Sequence, residues 1–188
     1  MNPTRTVPTR RSFTSFEEST ADDWAVIRQQ MLVTQAMVAD NVLVLMRALE
    51  SDHGGYPVTR LEHSLQTATR AERAGEDDEY VLCALVHDIG DTLAPYDHPA
   101  IAATMLRGRV SEANLFMVEQ HGIFQGWYFW HHLGMDREAR EQFRDSPWFE
   151  RTAEFCARHD QTSFDPEYRS EPLEHFEPLV RSFFAAPG

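Results

Sequence analysis

Lysine is missing from this chain: all 17 basic residues among its 188 are arginine. Schiff-base and lysine-nucleophile chemistry are therefore excluded. An anionic substrate has to be held by arginine, metal, polar side chains or backbone N–H groups. Positive charge as a whole is scarce. The 30 acidic residues leave a formal net charge of -13, and such a surface repels nucleic acid and anionic lipid, whose phosphates need a basic footprint. Cysteine is nearly absent. Cys83 and Cys156 both lie in apolar, helix-like stretches, so two buried thiols are expected rather than a disulfide or a zinc pair. No apolar run reaches membrane-spanning length and no signal-peptide core opens the chain, which predicts a soluble cytoplasmic protein with no membrane partner. Neither an internal repeat nor a strand-like alternation is visible, and the chain reads as all-α with connections short enough for a compact bundle.

What is present suffices for a packed core: 42% of residues are hydrophobic, too many for global disorder. Residues 1–20, rich in Thr, Ser, Pro and Arg, read as a loose arm that Phe13 and Phe16 can tether. Residues 21–188 read as a single helical domain. Asp22 and Asp23 are placed to cap a helical stretch over 21–50. Residues 52–57 break it, with Gly54-Gly55 before Tyr56-Pro57 making a turn or lid. A helix over 59–74 ends at Gly75. The next, over 80–89, has acidic residues 76–79 at its positive end and is apolar almost all round, so it is central. His98-Pro99 opens another. Ser111 caps one that ends near His121-Gly122. A helix from Ser146-Pro147 runs towards Asp160, and a short one lies within 172–184.

The chemistry centres on His87-Asp88, at the end of the most apolar helix. Two polar, metal-competent side chains there are costly unless paired or metal-bound. Neighbouring helix residues point about 100° apart, so both reach one metal only where the backbone turns, and Gly90 supplies the turn. Four further ligand types lie at comparable places: His63 inside the preceding helix, His98 at a helix start, His121 beside Gly122, and Asp160 near the end of the last long helix. Helix ends converge over the mouth of a bundle. Four imidazoles and two carboxylates would carry two divalent cations and leave positions open for water, dioxygen or substrate. Singly, each residue has a plainer role, since a lone helical histidine is more often a hydrogen-bonded core or surface residue.

The stretches 61–66, Leu-Glu-His-Ser-Leu-Gln, and 81–90, Val-Leu-Cys-Ala-Leu-Val-His-Asp-Ile-Gly, resemble the HD-domain superfamily. They are most similar to its mixed-valent di-iron oxygenases, which cleave organophosphonates, and more distantly to myo-inositol oxygenase. The resemblance covers roughly residues 53–165. It implies a compact HD-type helical bundle with metal ligands at helix ends. It also implies one iron on His63, His87, Asp88 and Asp160, a second on His98 and His121, and Asp88 as the bridge. The implied reaction uses dioxygen to break a C–P or C–C bond beside a hydroxyl-bearing carbon of a small molecule, with Fe(II)/Fe(III) as cofactor. Manganese, zinc or magnesium with phosphoester hydrolysis is the alternative on the same donors. A closed structural metal site is a third reading, which six donors disfavour. Partners are then the substrate and dioxygen, with self-association open through the aromatic segment.

Three positions depart from the phosphonate-cleaving pattern. Asp91 stands where a basic residue follows the His-Asp turn, Gln125 where a lysine follows the later metal histidine, and Tyr56 where a lid acid is expected. All three remove charge that a phosphonate enzyme would use, and Asp91 suits a hydroxyl-rich or cationic group. Asp88, Asp91, Gln66 and Tyr56 are the expected substrate-side residues. Gln66 can reach substrate or position a ligand. The aromatics from Phe124 to Trp130 suit an ammonium cage, although rings at this density usually pack under a loop or at a dimer contact. Arg158 is an anion contact or a solvated side chain. His53 is a lid candidate, His131-His132 reads as structural, and His175 as surface.

Overall fold

A computed structural model describes residues 10–51 and 54–185; Asp52 and the lid candidate His53 lie outside the described residues. Among those residues the chain forms eight α-helices and no strand: α1 (Ala21–Ala36), α2 (Val38–Ala48), α3 (Arg60–Arg73), α4 (Asp78–Val86), α5 (His98–Leu106), α6 (Glu112–Phe129), α7 (Phe149–Phe155) and α8 (Leu173–Phe184). The all-α expectation holds. Both cysteines are free and buried.

Local chemistry explains most boundaries. The cap of α1 is Thr20, not Asp22 or Asp23; Asp23 serves as the reciprocal partner in a capping box. Thr59 and Glu62 make the same box at α3. Asp77 caps α4 through the Tyr80 N–H, and Ser111 caps α6 through the Asn114 N–H. The 21–50 stretch is two helices broken at Met37. Ring contacts from Phe13 to Phe16 and from Phe16 to Trp24, with an Arg11–Asp23 ion pair at 2.7 Å, draw residues 10–20 onto α1. Gly54 and Gly55 take φ of 53° and 81°, which glycine adopts without Cβ strain.

Helix α4 is the hub. Every residue from Tyr80 to Val86 is buried, and α3, α6 and α8 pack against it. Helix α6 in turn packs on α5 and α7. It does not stop at Gly122 as expected but runs to Phe129. Gly122 packs against Pro99 of α5, where a Cβ would meet the proline ring at an ordinary contact distance of 3.4 Å, and Gly126 lies under the Trp130 ring. These glycines are therefore packing positions inside a helix. His121 consequently sits mid-helix and reaches the centre through the α4–α6 contact.

The aromatic segment packs rather than forming an open cage. Phe124 is fully buried, and Trp127 lies under Arg137 and Arg140, whose guanidinium carbons are 4.4 Å and 3.8 Å from its ring centre. The His131 and His132 rings contact each other in a tilted arrangement, with centres 3.9 Å apart, and exposed His175 pairs with Glu72 at 2.9 Å. No single helix among the described residues is long and apolar enough to cross a membrane; one pair, Ala21–Ala36 with Val38–Ser51, passes by length and composition but is bent by 46°.

Gly90 has a different task from the one its place in sequence suggests. Its φ is not positive, so the turn after Asp88 does not need glycine conformationally. A Cβ at Gly90 would lie 2.6 Å from the His98 carbonyl oxygen and 2.7 Å from Ile101 Cβ. Glycine is there so that α5 can bring His98 against Asp88. Gly90→Ala is expected to cost about 1–3 kcal/mol, the usual range for overpacking. That is a drop of roughly 3–10 °C in Tm, measured by calorimetry, with His98 displaced. An unchanged Tm would mean the two segments separate freely.

Candidate metal centre

The six residues singled out in the sequence meet in one place. His87 is the C-terminal boundary residue of α4, and Asp88 follows where the helix has ended, so both side chains turn towards the same space. His63 comes from the second turn of α3. Asp160 comes from a π-helical turn, Cys156–Asp160, that continues α7 and is closed by the Gln161 N–H on the Cys156 carbonyl at 3.0 Å. The extra residue in such a turn re-aims the side chains that follow, a device common at functional sites.

Asp88 divides the group into two sets. Its Oδ1 lies 3.1 Å from both His98 Nε2 and His121 Nε2. Its Oδ2 lies 3.4 Å from His63 Nε2 and 3.5 Å from His87 Nε2. Asp160 Oδ1 joins the second set, 3.2 Å from His63 Nε2. The ring nitrogens confront each other as well, His63 with His87 and His98 with His121, each pair at 3.2 Å.

The outer nitrogens decide what the inner ones present. Nδ1 of His63 faces the Ser163 carbonyl at 2.9 Å, that of His87 the Ala84 carbonyl at 2.8 Å, and that of His121 the Val118 carbonyl at 2.7 Å. A carbonyl only accepts, so each Nδ1 carries the proton and each Nε2 turns a lone pair inward. His98 Nδ1 is held by Asp91 Oδ1 at 3.0 Å and by the Pro95 carbonyl at 3.3 Å. Asp160 Oδ2 is buried with no partner. Confronted lone pairs and an orphaned carboxylate oxygen are unfavourable unless positive charge sits among them. The donor set therefore fits a pair of divalent cations, with His63, His87 and Asp160 around one, His98 and His121 around the other, and Asp88 between. Groupings of potential donor atoms also bring in Asp91 beside Asp88 and His98. Its oxygens, however, are engaged by the outer nitrogen of His98 and by Arg60, which makes it a positioning group.

Protons stand in for cations when none is bound. Burial opposes a charged His87, but Asp88 and Asp160 beside it outweigh burial and hold its pKa up at about 9. Burial also opposes charge on Asp88 and Asp160, yet the imidazoles facing them keep both well below the usual carboxylate range. Cation binding at about pH 7.5 should therefore release at least one proton per chain, read from metal titrations in buffers of different ionisation enthalpy. His87 is raised from an ordinary 6.5. Its contribution to the ion-free fold is thus complete below that value and is lost as pH rises through about 9. The Tm of ion-free protein should fall across that window while metal-loaded protein changes less. Parallel profiles would show that no such proton is held.

The expected substrate-side residues have partners within the chain. Gln66, expected to reach substrate or a ligand, spends its amide on the backbone of Asp165, donating to the carbonyl at 2.8 Å and accepting from the N–H at 3.3 Å. It ties α3 to the segment after the π-turn. Asp91 is not free to receive a hydroxyl or a cation, because Arg60 Nε donates to its Oδ2. Arg60 also reaches Asp88 Oδ2 at 3.5 Å through Nη2. Burial opposes its charge, but Asp88 and Asp91 raise its pKa further still. The charge that seemed removed at three positions is thus partly restored from a fourth. Gln125 donates to Asp160 Oδ1 at 2.9 Å, holding a donor of the centre. Tyr56 is at the rim: its ring stacks on Phe164 at 5.3 Å, Phe164 stacks on His63 at 4.4 Å, and Arg60 lies 4.5 Å over the Tyr56 ring. Arg158 pairs with Glu154 at 2.6 Å and does not enter the centre.

Arg60 and Phe164 were missed from sequence. Arg60 could have been found, since it precedes His63 by three residues and so shares its helix face. Phe164 had no signal, because its stacking depends on how the chain returns after the π-turn.

Comparison with known proteins agrees with this geometry. The family model described as HD domain matches residues 60–172, a span that starts at Arg60 and contains all six donors. A curated relative, the 1-hydroxy-2-(trimethylamino)ethyl phosphonate dioxygenase (glycine-betaine-forming) of Leisingera caerulea, is 49% identical over 41 residues. That alignment covers 22% of this chain and 21% of the relative, so the chain matches only about a fifth of that protein's length.

Proposed function

The chain belongs to the HD-domain family and is a metal-dependent enzyme, and from that premise we propose that it is a di-iron oxygenase. Its substrate would be a small 1-hydroxyphosphonate carrying a quaternary ammonium group, and the bond cleaved would be C–P. The observation that carries this reading is the second donor set. His98 and His121 share Asp88 Oδ1 while the first set faces Oδ2, an arrangement suited to two cations that act on one substrate. The short stretch shared with the Leisingera caerulea dioxygenase supports the choice of substrate class.

A bound iron pair would supply dioxygen activation and oxidation of the carbon that bears the hydroxyl. The chain's own residues do the rest. Arg60, pulled partly from Asp91, binds the phosphonate oxygens and orients the carbon towards the centre. Asp91 keeps its hold on His98 Nδ1 and thereby fixes that ring. Tyr56 and Phe164, stacked on each other and on Arg60 and His63 at the rim, shield the centre from water. Stoichiometry is fixed by atom balance. A 1-hydroxyphosphonate dianion and one dioxygen give a carboxylate, hydrogen phosphate and a proton.

The test is purification under anaerobic conditions with iron, followed by metal analysis, electron paramagnetic resonance and oxygen-electrode assays. Expected are two irons per chain, a mixed-valent signal, and one dioxygen consumed per phosphate released from the 1-hydroxy-2-(trimethylamino)ethyl phosphonate. Phosphate release from a phosphate ester without oxygen uptake would replace this reading with a hydrolase.

A further inference from the structure

Away from the metal centre, an open pocket of about 290 Å³ is lined by Arg70, Arg73, Ala74, Arg158, His159 and Tyr168. None of the six metal donors lines it. Three guanidinium groups around one opening contrast with a chain of net charge -13. Two of them have local partners: Arg73 pairs with Glu171 at 3.0 Å and donates to the Tyr168 hydroxyl at 3.2 Å, and Arg158 pairs with Glu154.

Arg70 is different. Among the described residues no carboxylate pairs with it, and its Nε is buried without a partner. Its guanidinium carbon lies 3.9 Å from the centre of the Tyr168 ring, a stacking that leaves the in-plane N–H fork free. His159 is 2% exposed, and neither ring nitrogen has a hydrogen-bond partner. The nearest carboxylate oxygen, on Glu76, is 3.9 Å from Nε2, beyond hydrogen-bond reach. A guanidinium with no carboxylate partner, in the lining of a pocket that holds two further arginines, favours an anion there.

We propose that this pocket binds a small oxyanion of the phosphate or phosphomonoester type. Arg70 provides bidentate N–H donors from its terminal nitrogens, the Arg73, Arg158 and Tyr168 groups close the rim, and the enclosed His159 ring packs behind them. The position is suggestive of communication with the metal centre, because His159 directly precedes Asp160 and Arg70 lies two helical turns from His63 on α3.

The metal-loaded full-length protein is titrated calorimetrically with inorganic phosphate and, separately, with glycerol phosphate. Binding of either that is weakened by Arg70→Gln and kept in Arg60→Gln supports the site, and which one binds separates free phosphate from a monoester terminus. Arg70→Gln should weaken binding by about tenfold or more, and Arg73→Gln should weaken it in the same direction. Both variants should retain wild-type circular dichroism and metal content. Arg60→Gln, which alters only the metal-centre cation, should leave this binding in place. Binding that survives Arg70→Gln and Arg73→Gln but disappears with Arg60→Gln would assign the anion to the metal centre and overturn the proposal. So would the absence of binding at anion concentrations on the order of 10 mM. These outcomes do not depend on whether the enzyme is an oxygenase.

Discussion

A His98→Ala protein is expected to bind one divalent cation per chain instead of two, to keep its helix content, and to lose at least about a thousandfold in oxygen uptake, the scale on which loss of a preorganised electrostatic group acts. His98 Nε2 is one of two imidazole nitrogens on Asp88 Oδ1. Removing it leaves His121 and a shared carboxylate oxygen, too few ligands to hold a cation against water. The first set, His63, His87 and Asp160, is untouched and keeps its cation. Folding should survive because His98 is the least buried of the four imidazoles, with 18% side-chain exposure, and α5 is held to α6 by packing of Ala102, Ala103 and Leu106. Metal analysis after gel filtration gives the count, and His131→Ala, an exposed histidine outside the centre, is the control. Two cations retained by the His98→Ala protein would break the assignment of two sets.

Arg60→Gln is expected to lower kcat/KM for a phosphonate substrate by about 10²- to 10³-fold, the effect of deleting one partner of a desolvated charged contact. The loss should fall on both kcat and KM, because the anchored phosphonate carries the phosphorus of the bond that breaks. Arg60→Lys should recover part of it, since a point charge remains but the bidentate fork does not. Metal content should stay at the wild-type level, as Arg60 contacts Asp88 Oδ2 only at 3.5 Å. A KM unchanged in the Arg60→Gln protein would show that the guanidinium serves Asp91 alone. A collapse in metal content would show that it serves the centre rather than the substrate.

Legibility from sequence followed the range of the interactions involved. The donors were readable because metal chemistry uses few residue types, and because an Asp and a His at the end of an all-apolar helix have no cheap structural role. Helix α4 was readable from its unbroken apolar run. Errors clustered where a residue's role depends on a distant neighbour. Gly122 looked like a helix end and lies inside α6, which runs on to Phe129. Gln66 looked like a substrate contact and is bound to Asp165, 99 residues away. Asp91 looked like a free acid and is neutralised by Arg60 across 31 residues.

The amino-acid sequence by itself determined the helical class and the six metal-competent side chains, because caps, apolar runs and ligand identity are local properties. Only the tertiary structure decided that one oxygen of Asp88 serves each pair of imidazoles, that a π-turn aims Asp160, and that Arg60 is the cation beside them. Those facts depend on distances between segments far apart in the chain, and such distances are set by how whole helices pack rather than by any short stretch of residues.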